Sequence, residues 1–252
     1  MNSILYIIIF SSGLIFGSFF NVCIYRIPRE ESIAFPPSHC TNCNRKLKPL
    51  ELIPVFSYIA LKGKCKGCLE KISIEYPIIE ILTGIIFLNI YIQFGFSINT
   101  LKYIVLFSIL LIASIIDIKT KEVYFKLSLT GFIFGILFLI VDMINGRPFK
   151  NLVVTILIPL VIVGVIYLLS KRIDGFGGGD LEIFLMISLY LTPVTIGLSI
   201  FLSIIFGGVL AIILLCIGKR KMQIPFVPFI FLGTFIAVLF GSRILNWYIK
   251  TL

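Results

Sequence analysis

The sequence contains one histidine and few acidic residues. The histidine is His39, so a two-histidine metalloprotease motif is excluded and a Ser/His triad has only one candidate base. Asp and Glu number 12 against 22 Lys and Arg, and charged residues are only 13% of the 252 positions. Chemistry that depends on charge is therefore confined to few side chains, and each of them can be considered individually.

Apolar residues, by contrast, are abundant. They make up 59% of the chain, whereas about 45–50% is typical of a soluble domain, and the mean hydropathy is +1.10. This composition predicts a polytopic membrane protein. The first apolar run has no basic leader before it and no convincing cleavage site, so we expect a retained span rather than a signal peptide.

Apolar runs long enough to cross a bilayer recur along the whole chain. They predict an all-α polytopic membrane protein with about eight transmembrane helices, the sixth of which is short and is expected to be tilted or partly interfacial. The runs lie near residues 4–25, 77–97, 101–117, 125–142, 152–170, 181–193, 195–217 and 225–242.

The net charge of +10 has a topological explanation, because Lys and Arg concentrate in cytoplasmic loops. If the polar segment 26–76 is cytoplasmic and the later loops alternate, seventeen of the 22 basic residues lie on the cytoplasmic side. This predicts an outside N-terminus and requires no nucleic-acid partner. It also places Asp117, which ends the third span, and Asp180, which begins the sixth, at the cytoplasmic face.

Four cysteines in segment 26–76 form two C-x-x-C pairs, with 21 residues between the pairs. This pattern is typical of a four-thiolate zinc site, and four ligands leave no open position, so the zinc is expected to be structural. A metal would also stabilise a domain with too little core to fold easily alone. Disulfides are the alternative, disfavoured in a reducing compartment. The predicted ligands are Cys40, Cys43, Cys65 and Cys68.

The chain has four aspartates, of which two adjoin predicted spans on the same side. Asp142 and Asp174 have ordinary interpretations as solvated loop or turn residues. Asp117 and Asp180, if they face each other, would share a proton, so that one activates water and the other polarises a carbonyl. The alternative is that Gly177, Gly178 and Gly179 form a flexible turn and Asp180 caps the following helix.

An ordered set of motifs along nearly the whole chain resembles the type IV prepilin peptidases, membrane aspartic proteases of the GxGD class. The motifs are "GSFFNVCIYRIP" at 17–28, "PPSHCTNC" and "KGKCKGC", "ISIEYPIIEILTG" at 72–84, "IDIKTKEV" with Asp117, "GGGD" at 177–180 and "IPFVPFIFLG" at 224–233. Departures from the family pattern are Tyr124 and Phe125, where Pro followed by Asn or Asp is common, and Glu182, where Lys is frequent.

The resemblance implies a substrate and a location. It implies cleavage of the short basic leader of a prepilin or pseudopilin by Asp117 and Asp180, in the bacterial inner membrane and at its cytoplasmic face. It also implies that Gly177, Gly178 and Gly179 form the active-site loop. Membrane lipid is then a partner, and the oligomeric state stays open.

The cysteine segment implies a second activity, because it accompanies N-methylation of the new N-terminus in this family, with S-adenosylmethionine as methyl donor. No Rossmann glycine fingerprint is present, so the donor site must differ from that of the usual soluble methyltransferases. The candidate donor-site residues are Gly63, Lys64, Glu75 and Glu80.

We therefore expect three parts: a first transmembrane helix at 1–25, a cytoplasmic cysteine domain at 26–76 associated with methyl transfer, and a transmembrane peptidase domain at 77–252. Two alternatives stay open. The first is a peptidase without methyl transfer, in which the cysteine domain serves docking or folding. The second is a small transporter that uses intramembrane carboxylates as a relay for protons or cations.

Overall fold

The computed structural model describes residues 2–170, 177–218 and 223–251, and this part of the chain is helical without extended strands. Its helices are α1 (Asn2–Arg26), α2 (Phe56–Ala60), α3 (Glu75–Phe94), α4 (Ile98–Thr120), α5 (Phe125–Ile144), α6 (Phe149–Ser170), α7 (Gly178–Ser188), α8 (Pro193–Cys216) and α9 (Val227–Thr251). Two short 3₁₀ turns lie within the polar segment 26–76, at Ile27–Arg29 and Pro49–Leu52.

Seven of the described helices are long and apolar enough to cross a membrane, namely α1, α3, α4, α5, α6, α8 and α9. The predicted sixth span corresponds to α7, which has 11 residues and is therefore only about 16 Å long. That is about half of a bilayer's hydrocarbon thickness. The side chains of α7 are largely buried within the protein, so this short helix packs against other helices rather than facing lipid.

The chain divides into two compact units, Met1–Thr100 and Leu101–Leu252. In the first unit, α1 and α3 pack antiparallel through small residues. A Cβ on Gly13 would lie 2.6 Å from the Gly84 Cα, and one on Gly17 would lie 2.7 Å from the Glu80 Cα. Glycine therefore permits the two backbones to touch, as in other small-residue contacts between membrane helices.

Two similar turns, each containing one cysteine pair, fold between α1 and α3. In each turn the first cysteine N–H donates to a carbonyl five residues later, from Cys40 to Arg45 and from Cys65 to Glu70. Isolated antiparallel bridges close both turns, at His39 with Lys46 and at Lys64 with Lys71. The chain thus builds the same knuckle twice and points both cysteine pairs toward one place.

In the second unit, α4 is the most buried of the described spans. It runs antiparallel to α9, because Phe107 contacts Phe231 and Phe235 while Asp117, ten residues further along α4, contacts Val227 at the start of α9. Helices α8 and α9 pack through a hydrogen bond of 2.7 Å between Ser199 and Thr234. These polar contacts are buried, so they join helices without exposing hydroxyls to lipid.

Helices α5 and α7 run parallel, since Ser128 pairs with Glu182 near their starts and the Tyr190 hydroxyl, just beyond α7, donates to the Gly131 carbonyl. The start of α5, the start of α7, the end of α4 and the start of α9 therefore lie at one end of this unit, which we call the aspartate end. It contains both Asp117 and Asp180.

The opposite end of the second unit contains an ionic cluster that the sequence interpretation missed. Asp142 was expected to be a solvated loop residue, but it lies in α5 and accepts from Lys102 at 3.0 Å and Arg147 at 3.4 Å. Arg147 also donates to the Leu191 carbonyl. Asp174 and the basic residues Lys171, Arg172, Lys219, Arg220 and Lys221 of the charge argument lie outside the described residues.

Candidate active site and metal centre

Asp117 lies in the last turns of α4 and is 5% exposed. A carboxylate near a helix C-terminus meets the negative end of the helix dipole, which is unfavourable. The structure offsets this with a second helix, because the Val227 N–H at the start of α9 donates to Asp117 Oδ2 at 2.9 Å. The position of the carboxylate is thus fixed by two helices that are far apart in sequence.

Asp180 lies in the first turn of α7 and is 8% exposed. Its Oδ2 accepts from the Gly177 N–H at 3.2 Å, a capping contact that holds the carboxylate over the helix start. Burial raises the pKa of Asp180 to about 7, and the nearby charge of Asp117 acts in the same direction. The capping contact named as the alternative is therefore present, and Asp117 is near enough for its charge to act on Asp180.

The glycines before Asp180 allow the loop to lie directly against the connection between α4 and α5. A Cβ on Gly179 would lie 2.7 Å from the Val123 Cβ, whereas one on Gly178 would meet nothing closer than 3.8 Å. Gly177, Gly178 and Gly179 are not among the glycines with positive φ, so backbone conformation does not require glycine here. Close packing at Gly179 is therefore the reason for glycine here.

Glu182, which departs from the family pattern, points away from the aspartates. It follows Asp180 by two positions, about 200° around the helix, and it accepts a hydrogen bond from the Ser128 hydroxyl on α5. Tyr124, another departure, donates to Glu122 at 3.0 Å, and Phe125 is exposed at the start of α5. Tyr124 and Phe125 therefore lie at the connection between α4 and α5, and Glu182 lies at the contact between α5 and α7.

The four predicted cysteine ligands come together in the first unit. The sulfur atoms of Cys40, Cys43, Cys65 and Cys68 lie within 4.8 Å of one another, and the Cys40 and Cys68 sulfurs are 3.8 Å apart. Tetrahedral zinc with Zn–S bonds of about 2.3 Å requires sulfurs about 3.8 Å apart. None of the four is in a disulfide, so the donor set fits a zinc ion.

Arg45 borders this cluster. Its terminal nitrogens donate to both Glu51 oxygens, at 3.1 and 2.9 Å. Its Nε is buried without a hydrogen-bond partner and faces Gly67, beside the Cys43 sulfur, and the guanidinium interacts with the Cys65 sulfur. Backbone N–H donors of Cys68 and Gly67 lower the pKa of Cys65 to about 6, as a thiolate ligand requires.

A cavity of about 390 Å³ opens beside the cysteine cluster, within the first unit. Its walls combine three tyrosines, Tyr25, Tyr58 and Tyr76, with the buried carboxylate of Glu80. Glu80 Oε2 accepts the Val55 N–H at 2.7 Å. The size falls in the range of small-molecule sites. The aromatic faces and Glu80 suit a cationic group, whereas Arg26, Arg45, Lys66 and Lys71 in the same lining suit an anionic one.

The structure separates the four candidate donor-site residues. Glu80 lines the cavity, whereas Gly63, Lys64 and Glu75 are not among its lining residues. Gly63 is buried behind Tyr58 with φ +66°, and the Lys64 backbone forms an antiparallel bridge with that of Lys71 in the second knuckle. Glu75 is exposed at the start of α3. Tyr25, Tyr58 and Tyr76 carried no sequence signal of this role, because the cavity forms from segments far apart in the chain.

Two family models match the chain. The Bacterial Peptidase A24 N-terminal domain matches residues 11–94, which contain the four cysteines, and the Type IV leader peptidase family matches residues 104–212, which contain both aspartates. Together they cover about three quarters of the chain. No solved structure matches it.

Several curated proteins are similar to the chain. A "Prepilin leader peptidase/N-methyltransferase" of Bacillus subtilis is 43% identical over 44% of the chain and 45% of its own length. A protein of the same name from Myxococcus xanthus is 36% identical over 52% of the chain and 39% of its own length. These alignments thus span less than half of either relative. A protein of the same name from Aeromonas salmonicida is 27% identical over 97% of the chain and 94% of its own length.

Proposed function

Because this chain belongs to the type IV leader peptidase family, we propose that it removes the basic N-terminal leader of a prepilin or pseudopilin, using Asp117 and Asp180. Its apolar helices and its family together indicate a multi-pass protein of the bacterial inner membrane. The observation that carries the proposal is the burial of both carboxylates at one end of the second unit, each held by a backbone N–H.

The two carboxylates divide the acid and base roles. Asp180, with its pKa raised to about 7, holds the proton and donates it toward the scissile carbonyl oxygen. Asp117 then accepts a proton from the attacking water, so the water oxygen bonds to the carbonyl carbon. Collapse of the tetrahedral intermediate breaks the C–N bond. The proton taken up by Asp117 passes to the leaving amine, and a hydroxyl of the intermediate returns its proton to Asp180 as the carbonyl re-forms.

We place the aspartate end at the cytoplasmic membrane face. The support is the charge asymmetry, which puts most basic residues on that side. A prepilin leader is itself cytoplasmic and joins an apolar helix, so the scissile bond would lie at the depth of Asp117 and Asp180. The exposed backbone of Gly177 and Gly178 offers a surface against which an extended peptide can lie.

We further propose that the chain N-methylates the new N-terminus, with the cavity in the first unit as the site. S-adenosylmethionine, when bound, supplies the methyl group. Glu80 would hold the α-amino group and accept its proton, while Tyr25, Tyr58 and Tyr76 would face the sulfonium. The functional division into 1–25, 26–76 and 77–252 belongs to this proposal, with structural zinc on the four cysteines holding the cavity wall.

A cleavage assay separates the peptidase from the transporter alternative. Purified protein in proteoliposomes receives a prepilin with an intact leader, and proton and cation flux are followed in parallel. We expect a shortened pilin and no flux above that of empty liposomes. Flux without any shortened product would support the transporter instead.

Mass spectrometry of the shortened product tests methyl transfer and its site together. With S-adenosylmethionine supplied, the product should gain the mass of one methyl group. Glu80→Gln should yield cleaved but unmethylated product, whereas the matched control Glu75→Gln, on the same helix but outside the cavity lining, should yield methylated product. Unmethylated product from the unaltered protein would support the alternative of a peptidase without methyl transfer.

A further inference from the structure

The polar segment contains one apolar stretch whose sequence is unlike its surroundings. Residues 49–61 read "PLELIPVFSYIAL", with a single charged residue, Glu51, which pairs with Arg45. Two lysines precede the stretch, at positions 46 and 48, and two follow it, at 62 and 64. An apolar run flanked by lysines is typical of segments that lie in the boundary between lipid and water.

Contacts with α3 place this stretch below the start of a membrane span. The Val55 N–H donates to Glu80, which lies five residues, or about 8 Å, along α3 from Glu75. Glu80 also packs against Gly17 of α1, nine residues before that helix ends at Arg26. Helix α3 has 20 residues and about the length of the hydrocarbon layer, so Val55 lies at the depth of the outer hydrocarbon.

The two sides of the stretch differ in what they contact. Ser57, Tyr58 and Leu61 line the cavity of the first unit. On the other side, large apolar side chains are exposed, including Leu50 at 77%, Phe56 at 69% and Ile59 at 66%. Exposed apolar groups in such number are costly in water, since each fully buried side chain of this size gains about 1.5–3 kcal/mol.

The exposed side of the stretch continues an apolar surface that faces lipid. Ile78 and Ile81, one or two residues from Glu80 in α3, are exposed at the same depth. Because α3 is a membrane span, these side chains meet acyl chains. The exposed side chains of the stretch therefore lie beside a surface that already contacts lipid.

We propose that residues 49–61 insert into one leaflet of the bilayer, with Leu50, Ile53, Phe56 and Ile59 among the acyl chains. The flanking lysines would lie at anionic headgroups. The cavity wall is thereby fixed at the membrane surface, with lipid on one side and the cavity on the other. The proposal does not depend on the proposed function, since it rests on the contacts of the first unit alone.

Fluorescence quenching in liposomes tests this insertion. The single tryptophan, Trp247, is replaced by Phe, and Phe56→Trp is introduced into the full chain. The matched control is Leu69→Trp, because Leu69 is exposed to the same extent, 70%, but lies in the second knuckle. Proteoliposomes contain brominated phosphatidylcholine with phosphatidylglycerol, and acrylamide serves as the aqueous quencher.

We expect brominated lipid to remove most of the emission of the Phe56→Trp variant and little of that of Leu69→Trp, with acrylamide giving the reverse order. Ile59→Trp provides a second reporter if Phe56→Trp does not fold, and should behave like it. Acrylamide quenching of both stretch variants equal to that of Leu69→Trp would overturn the proposal. Protection from both quenchers would also overturn it, because the side chains would then lie against protein.

Discussion

Asp180 is held in a position where its charge is unfavourable. Its carboxylate is buried, lies near Asp117 and is fixed by the Gly177 N–H. Burial and a like charge both favour the protonated form, while the hydrogen bond fixes the orientation of the group. An aspartate of this kind can donate a proton near neutral pH, which an exposed aspartate cannot.

The pH dependence of leader cleavage should report this protonation. Since the pKa of Asp180 is raised to about 7, the protonated form predominates below that pH and is lost above it. Cleavage should therefore fall about tenfold per pH unit once pH exceeds 7 by a unit or more. Rates measured in proteoliposomes between pH 5 and 9 provide the check.

Glu182 supplies a control for that profile. The Glu182 carboxylate accepts a hydrogen bond from Ser128 on α5 and points away from Asp180. Glu182→Gln should therefore leave the fall in cleavage rate above pH 7 unchanged. The substitution keeps a hydrogen-bond acceptor, so packing between α5 and α7 should persist. If cleavage by Glu182→Gln instead fell at a lower pH, Glu182 would act on the aspartates, and the orientation seen in the structure would not hold during catalysis.

Arg45 should strengthen metal binding at the cysteine cluster. Four thiolates and one Zn²⁺ carry a net charge of −2, and the neighbouring guanidinium offsets it. Arg45→Gln should weaken zinc affinity about tenfold, the lower end of what outer-shell partners contribute. Zinc retained against a chelator series gives the readout, with Lys62→Gln as control, because Lys62 is exposed and lies outside the cysteine knuckles and the cavity lining. If both variants retained zinc equally well, Arg45 would not contribute to zinc binding.

At the scale of elements, the start of α7 is the segment on which the aspartate geometry depends. Gly179 packs against Val123 from the connection that follows α4, the helix that contains Asp117. The loop thus couples the positions of the two aspartates. An added Cβ meets only ordinary contacts at the neighbouring Gly178, so the requirement is local to Gly179.

Gly179→Ala should therefore disrupt the site while Gly178→Ala should not. The added methyl at 179 would overlap Val123 and cost about 1–3 kcal/mol or displace the start of α7. Cleavage should fall at least tenfold in Gly179→Ala and stay near the unaltered rate in Gly178→Ala. Val123→Ala should restore part of the loss, and no loss in Gly179→Ala would contradict the packing argument.

The sequence predicted most elements because long apolar runs have few alternative structures. The starts and ends of the seven long helices lie within a few residues of the predicted runs, except that α9 continues beyond residue 242. The run at 181–193 was ambiguous, since an apolar run of that length fits either a span or a buried helix. The structure combines the two, because Ile183, Phe184 and Ile187 are buried within the protein while Leu191, just beyond α7, accepts a hydrogen bond from Arg147 at the end of the unit opposite Asp180.

Sequence alone could not predict the features that depend on contacts between distant segments. The four cysteines were recognisable because their spacing is short and repeated. Asp142 gave no such signal, since its partner Lys102 lies forty residues earlier, in α4. The cavity is a second example, because its walls come from segments far apart in the chain. Of the four residues predicted for the methyl-donor site, only Glu80 lines it.

At the scale of the whole chain, each compact unit holds one candidate site. The first unit contains the cysteine cluster and the cavity, and the second contains the two aspartates with an ionic cluster at its opposite end. Both sites consist of residues from one unit only. We therefore expect methyl transfer and cleavage to be separable by substitution, as Glu80→Gln and the aspartate variants would show.

The most direct test of the central claim is leader cleavage by Asp117→Asn and Asp180→Asn, assayed separately in proteoliposomes. Each substitution keeps the size of the side chain and removes its acid–base function. Glu122→Gln is the matched control, since Glu122 is an exposed carboxylate in the connection after α4. We predict loss of cleavage by at least a thousandfold in both aspartate variants, with the control unaffected. Normal cleavage by either aspartate variant would contradict the account.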